Sequence, residues 1–358
     1  MTKPLIIYDK SVYGATRAGV YVFAKNILDQ LRGEKESISL KEFNNPFSTI
    51  GKRGVNRKLF SILRIFYMEL IVLKHRNHAT YFFPAPEMSF LVILFRLRYV
   101  ITIHDLFTWD GCQKTTFFAR LRQKVLPLYA RNAQKIFTVS EFSKKEISSK
   151  LNVNLDKIVV THNGLSEELI NYQFSQEEFL NIKSKYPYEN FLLYVGSMEP
   201  RKNIPFLIDV FESLNKTQLK EKSNPIPLIL VGGEGWLREG IDSKINNSNF
   251  KSIIIQLGWV SDIEKLYLYR KALVTILPSI AEGFGIPVIE SLSQKTPVLV
   301  NDNTALSEFK GFGATVIDNF EVSSWVNKIL SPNKDYKLFV IDHYSWSDAC
   351  QIILENIT

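Results

Sequence analysis

Residues 272–290 read ALVTILPSIAEGFGIPVIE. The first seven form a β-branched, apolar run ending at Pro278, the following loop carries Gly283 and Gly285, and Pro287 stands where the first turn of a helix tolerates a missing amide proton. The stretch is therefore a strand, a glycine-bearing loop and a helix in succession, the unit from which parallel sheets are wound. In such a unit the amides of Gly283, Phe284, Gly285 and Ile286 gather at the carboxyl end of the strand, in front of a helix amino terminus. That combination favours an anion or sugar hydroxyls.

The same alternation runs outward in both directions. Strands are expected near 4–9, 38–43, 79–84, 99–104, 135–140 and 157–162, and again near 191–197, 227–232, 252–257, 272–278, 296–300 and 314–318, with helix-length amphipathic segments between them. A polar interval, 164–190, contains Pro187 and no strand-like run, and it separates the two groups of six. The expected fold is α/β: two doubly wound Rossmann-like domains facing each other across a cleft, residues 1–185 and 186–340, with a helix in 341–358 packing back on the first. Ser143 with Glu146 and Ser261 with Glu264 have capping-box spacing at two switches from strand to helix.

Length agrees with two domains, because 358 residues exceed the roughly 250–300 at which one core stops growing. With 46% hydrophobic and 22% charged residues the chain is globular. Cys112 and Cys350 are the only cysteines, which argues against a disulfide framework and for a reducing compartment. The amino terminus offers five strand-like residues rather than the apolar core of a secretory signal, and the apolar stretches around 59–73 and 90–95 are too short or interrupted to span a bilayer. A cytoplasmic protein is expected. Asp-x-Asp occurs nowhere, and the three Gly-x-Gly triplets at 233–235, 283–285 and 311–313 lack the third glycine of a dinucleotide fingerprint. Neither a metal nor a resident cofactor is expected.

Several residues point to chemistry once this framework is set. Gly196-Ser-Met-Glu-Pro-Arg201-Lys202-Asn203 follows the first strand of the second domain and leads into a helix, so two cations sit at a strand's carboxyl end, placed to neutralise a diphosphate. Glu290, one turn into the helix after Pro287, can accept hydrogen bonds from a vicinal diol such as a ribose, and Glu282 is expected at the mouth of its loop. An isolated Glu-x7-Glu is more often a solvated pair; the cations and the glycine loop reverse that balance here. In the first domain Gly19 opens a helix where backbone must approach a ligand closely, and His104 ends a strand where a neutral imidazole can bond a sugar hydroxyl.

The chain resembles the GT-B-fold retaining glycosyltransferases of family 4. The matching segments are GVYVFAKNIL (19–28), VITIHDL (100–106), IFTVSEFSKKEI (136–147), VVTHNG (159–164), LLYVGSMEPRKN (192–203), ILVGGEG (229–235), 257–292, TPVLVND (296–302) and YSWSDACQIIL (344–354), which together run nearly end to end. The resemblance implies transfer of a hexosyl group from a nucleotide diphosphate sugar to a glycan or polyprenyl-diphosphate-linked glycan, without a metal and with retention. It assigns Glu290 to the ribose, Glu282 and the Gly283–Gly285 amides to the donor sugar, and Arg201 and Lys202 to the diphosphate. Gly19 and His104 complete the site. The chain departs from relatives at Tyr21-Val22, Ser197 and Ser293–Thr296. A sugar-nucleotide epimerase of the same fold and a basic nucleic-acid-binding protein are the alternatives; no nucleic-acid-reading motif supports the second.

Charge suggests where the protein works. Residues 1–185 carry 28 Lys+Arg against 16 Asp+Glu, whereas 186–358 carry 16 against 20, so the first half holds the whole excess behind a net charge of +8. As a helix, 57–75 places Arg57, Lys58, Ser61, Arg64 and His75 on one stripe beside a broad apolar surface, and basic residues including Arg120, Arg122 and Lys124 recur in 114–135. Peripheral attachment to an anionic membrane, on the inner face of the cytoplasmic membrane, is the resulting expectation; a buried helix with a solvated basic edge is the plain alternative.

Overall fold

All twelve apolar runs form strands. The computed structural model describes residues 3–14, 19–46, 57–75, 79–86, 89–107, 117–235, 237–332 and 343–357, with backbone alone at 14, 57–62 and 117–122. The first sheet contains β1 (Leu5–Asp9), β2 (Ser39–Phe43), β3 (Ala79–Phe83), β4 (Tyr99–Thr102), β5 (Lys135–Thr138) and β6 (Ile158–Val160); the second contains β7 (Phe191–Val195), β8 (Leu228–Val231), β9 (Ile254–Gly258), β10 (Ala272–Leu277), β11 (Val298–Asn301) and β12 (Thr315–Ile317). Both sheets are parallel throughout, in the orders β2-β1-β3-β4-β5-β6 and β12-β11-β10-β7-β8-β9. Helices cover both faces, so β3 and β7 are buried along their whole length, as their unbroken apolar runs require.

The second order has a functional consequence. β7 continues to β8 and β9 on one side, while β10, β11 and β12 extend on the other, so the direction of winding reverses between β7 and β10. At such a switch point the loops leaving adjacent strands diverge and open a crevice at their carboxyl ends.

The chain divides into Met1–Gly164 with Trp346–Thr358, and Leu165–Ser345. The observed division thus falls some twenty residues before the expected 185/186. Residues 165–185 join the second unit because Phe174 and Phe179 pack edge-on against Tyr267, and Ile182 lies against the same core. The helix Trp346–Ile357 belongs to the first unit, burying Ala349, Cys350 and Ile353, with Trp346 edge-on to Phe23. Residues 341–342 lie outside the described residues, and 343–345 stay with the second unit.

Capping follows the expectation in one place and departs from it in another. Ser261 and Glu264 form both bonds of a capping box (3.2 and 2.8 Å). Ser143, by contrast, lies inside the helix Glu141–Leu151, which Ser140 caps. The Ser143 hydroxyl instead donates to the His104 carbonyl oxygen (3.0 Å), and Glu146 pairs with Lys150.

Candidate active site

The loops leaving β7 and β10 are tied together at the switch point. Beyond β7, Gly196 adopts φ +156°, where a Cβ would lie 2.8 Å from the Tyr194 hydroxyl. The Met198 amide donates to the Gly233 carbonyl (3.1 Å), fastening this loop to the one after β8. A single turn, Pro200–Lys202, then presents Arg201 and Lys202 before Asn203, in the left-handed region, turns the chain into the helix Ile204–Lys220. Beyond β10, the Ile280 amide donates to the Arg201 carbonyl (2.8 Å). Gly285 sits at φ +108°, and an added Cβ would be 2.4 Å from Leu306, so only glycine lets the chain enter the helix Ile286–Ser293 here.

These ties bring Arg201, Lys202 and Glu282 together. Glu282 is buried rather than placed at the mouth of its loop, and its carboxylate accepts from Lys202 Nζ, Arg201 Nη1 (3.1 Å) and Ser279 Oγ (3.0 Å). Arg201 also donates to the Ala281 carbonyl (3.0 Å) and to Glu199 (2.9 Å), whose carboxylate further accepts from Ser197 Oγ. Burial alone would raise the Glu282 carboxyl, yet the two cations and the Ser279 hydroxyl outweigh it and hold it below the ordinary range. Burial pulls Lys202 the other way, lowering its ammonium against the opposition of Glu282. The carboxylate therefore opposes the loss of charge on a desolvated lysine and orients both basic side chains. With Glu199 the cluster is electrically balanced, so an incoming phosphate must compete with Glu282 and Glu199 for the cations.

Glu290 is held differently. Lys265 Nζ donates to one carboxylate oxygen (2.6 Å) and the Tyr269 hydroxyl to the other (2.8 Å), which fixes the plane of the carboxylate while leaving each oxygen further acceptor capacity. Burial tends to lower the Lys265 ammonium, but Glu290 and Asp262 raise it above its ordinary value. Lys265 and Tyr269, four residues apart on one helix, did not stand out in the sequence; their spacing was the available signal, obscured by the apolar Leu266 and Leu268 beside them. Glu199 and Ser279 were missed for a similar reason, each looking like an ordinary turn residue.

The Phe284 ring packs edge-on against Phe309 (5.3 Å) and Tyr344 (5.4 Å), so this residue offers a ligand its backbone rather than its side chain. In the first unit, Gly19 opens the helix Gly19–Gly33 and is exposed. His104 Nε2 lies 3.0 Å from the Pro84 carbonyl. Because a carbonyl only accepts, Nε2 carries the proton and Nδ1 is the acceptor. Burial lowers its pKa to about 4, so the ring is neutral near pH 7. Among the described residues no group of three or more His, Cys, Asp or Glu side chains has metal-binding geometry.

Residues 175–338 match the family described as glycosyl transferases group 1, and residues 20–169 match glycosyltransferase family 4. A relative described as O-antigen chain mannosyltransferase B of Escherichia coli is 32% identical over 266 residues, 73% of this chain and 67% of the relative. The chain belongs to the family 4 glycosyltransferases of the GT-B fold. This glycosyltransferase is also similar to O-antigen chain mannosyltransferase RfbU of Salmonella typhimurium, 30% identical over 232 residues, 64% of this chain and 59% of that one. In fold it matches Anabaena Alr3699/HepE, solved with UDP and glucose, at a TM-score of 0.74 with 15% identity and 99% of both chains covered. It likewise matches WaaG, a glycosyltransferase involved in lipopolysaccharide biosynthesis, at 0.66 with 14% identity, covering 98% and 95%. Family membership favours neither the epimerase nor the nucleic-acid alternative.

Proposed function

We propose that this glycosyltransferase moves a hexosyl unit from a nucleoside diphosphate sugar to a glycan or lipid-linked glycan in cell-surface polysaccharide synthesis, with retention at the anomeric carbon and without a metal. The observation that carries this reading is the preorganised pair of loops at the switch point, where Arg201 and Lys202 are bonded to residues 280–282, directly before the Gly283–Ile286 stretch that leads into a helix. The names of the E. coli and Salmonella relatives support a hexose donor and a polysaccharide product.

In the proposed reaction the bond from the anomeric carbon to the diphosphate oxygen breaks, and the acceptor hydroxyl bonds to the same face of that carbon. The acceptor's proton passes to the departing diphosphate. Negative charge grows on the leaving group as the bond opens, so Arg201, Lys202 and the loop amides hold the transition state more tightly than the bound donor. In the second unit Glu282 sets these cations in place and bonds donor hydroxyls, Glu290 accepts from the ribose, and Gly196 gives close backbone approach. The metal-free reading rests on these side-chain cations and on the absence of Asp-x-Asp from the sequence.

The test is a thermal-shift screen of GDP-, UDP- and dTDP-sugars, followed by transfer assays in excess EDTA and anomeric analysis of the product by NMR. One donor class is expected to stabilise the protein and to be consumed with EDTA present. A requirement for Mg²⁺ or Mn²⁺, or an inverted product, overturns that part of the mechanism. The acceptor side of the proposal places the basic first unit at an anionic membrane surface; no helix among the described residues is long and apolar enough to cross one.

A further inference from the structure

Two neighbouring helices of the first unit are apolar on the side that does not face the core. In the helix Arg57–Lys74, Met68 and Val72 are buried, whereas Ile65, Phe66, Leu70 and Leu73 point outward. In the short helix Phe90–Leu94, Val92 is buried, whereas Phe90, Leu94 and the following Phe95 point outward. The seven outward side chains are between 40% (Phe95) and 65% (Phe66) exposed, whereas isolated exposed apolar residues elsewhere are ordinary surface.

Glu69 makes the two helices one surface. Its carboxylate accepts from the Phe90 amide (2.6 Å), the Leu91 amide (3.0 Å) and the Ser89 hydroxyl, bracing the second helix against the first. Glu69 is also the only acid in residues 52–76, and none occurs in 89–98. Among the described residues of the two helices the one carboxylate is thus engaged as a cap. Lys74, Arg96 and Arg98 are exposed at the ends of the two segments, in a unit holding 26 Lys+Arg against 14 Asp+Glu.

We propose that Phe66, Leu70, Phe90, Leu94 and Phe95 form a ridge that inserts into the headgroup and acyl boundary of an anionic bilayer, with Lys74, Arg96 and Arg98 on the lipid phosphates. This deepens the membrane placement above and rests on it, but it assigns attachment to apolar insertion by two braced helices rather than to basic charge alone. Charge selects the occupant. A second copy packed ridge to ridge would set like charges against each other with no free carboxylate among the described ridge residues to offset them, whereas an acidic lipid surface supplies both an apolar interior and anions.

The experiment uses the full chain, vesicles of phosphatidylcholine with or without phosphatidylglycerol, and the variant Phe66→Ser/Phe90→Ser. The variant is expected to unfold like the wild type, since both side chains are exposed, and to bind the anionic vesicles on the order of 10²-fold more weakly. A Phe66→Trp variant is expected to gain fluorescence quenching by brominated acyl chains beyond that of the wild type. Unchanged affinity of the double serine variant with no added quenching overturns the ridge and leaves a purely electrostatic attachment standing. A wild type that binds neither vesicle at low salt overturns both. A concentration-dependent dimer that the serine substitutions abolish reassigns the ridge to self-association.

Discussion

Lys202→Met separates the structural from the chemical role of the buried cluster. Lys202 and Glu282 are both nearly inaccessible and bonded to each other, and removing one partner of a buried pair strands the other charge. Such losses run to about 3–5 kcal/mol. Here Arg201, 3.1 Å from the same carboxylate, and Ser279, 3.0 Å away, remain as partners, which places the expected cost near the bottom of that range. For a unit spanning Leu165–Ser345, about 3 kcal/mol corresponds to a fall of about 6–12 °C in its unfolding midpoint. Adding Glu282→Gln removes the stranded charge, so Lys202→Met/Glu282→Gln recovers most of that fall. Turnover behaves differently. If Lys202 stabilises charge on the leaving diphosphate, the single and the double variant both lose roughly 10²–10³ in kcat. Calorimetry and steady-state transfer measured on the same preparations decide the matter. Recovery of turnover together with stability in the double variant refutes the phosphate role and reduces Lys202 to a structural counter-ion.

Three further outcomes follow from the geometry. Glu290→Gln and Lys265→Met each lower affinity for the nucleoside diphosphate and erase the preference over its 2′-deoxy analogue, whereas Lys265→Arg retains it; equal discrimination in all variants, measured by calorimetric titration, rules out Lys265 as the group that positions Glu290. The His104 ring resists protonation until about pH 4 when folded but protonates near 6.5 when unfolded, so the unfolded chain binds the extra proton between those values and stability falls as pH drops through that window. Urea unfolding at pH 7 and pH 5 therefore shows a smaller pH-dependent loss in His104→Gln than in the wild type. Burial raises the Cys350 thiol to about 12, so in a Cys112→Ser background iodoacetamide labels it at pH 8 only as fast as the helix Trp346–Ile357 undocks; rapid labelling of the native protein contradicts the described packing.

The strands and their grouping were legible because an unbroken apolar run such as FLLYV has one stable fate when a sheet is covered on both faces. Pro287 and Gly285 likewise fixed the helix after β10 from local chemistry alone. The division between the units was less legible. Residues 165–185 are polar on average, and what attaches them to the second unit comes from far along the chain: Phe174, Phe179 and Ile182 meet Tyr267 and its neighbours, Arg270 donates to the Tyr172 carbonyl, and Lys185 pairs with Glu264. Ser143 shows the same limit at smaller scale, since its spacing to Glu146 suits a cap but the His104 carbonyl takes its hydroxyl. Arg201, Lys202 and Glu282 were recognisable as chemical residues, but their mutual pairing was not, because the partners lie 80 and 81 positions apart in the chain.

That pairing also explains how two glutamates eight residues apart can act differently. Glu282 lies on a loop among full charges, where any anion that approaches Arg201 or Lys202 changes the carboxylate's own interactions. In the proposed reaction its contribution would therefore vary as charge develops on the leaving group. Glu290 lies on a helix, locked by Lys265 on one oxygen and Tyr269 on the other, with neither partner bonded to the Arg201–Lys202 cluster. If Glu290 holds the ribose as proposed, a carboxylate so fixed would interact with it equally before and during transfer, and equal interaction in both states strengthens binding without accelerating the chemical step. Substitution at Glu290 should then appear mainly in KM and nucleotide affinity, and substitution at Glu282 mainly in kcat. The reverse pattern would mean that the loop carboxylate is the passive member of the pair and that the helix carries the chemistry.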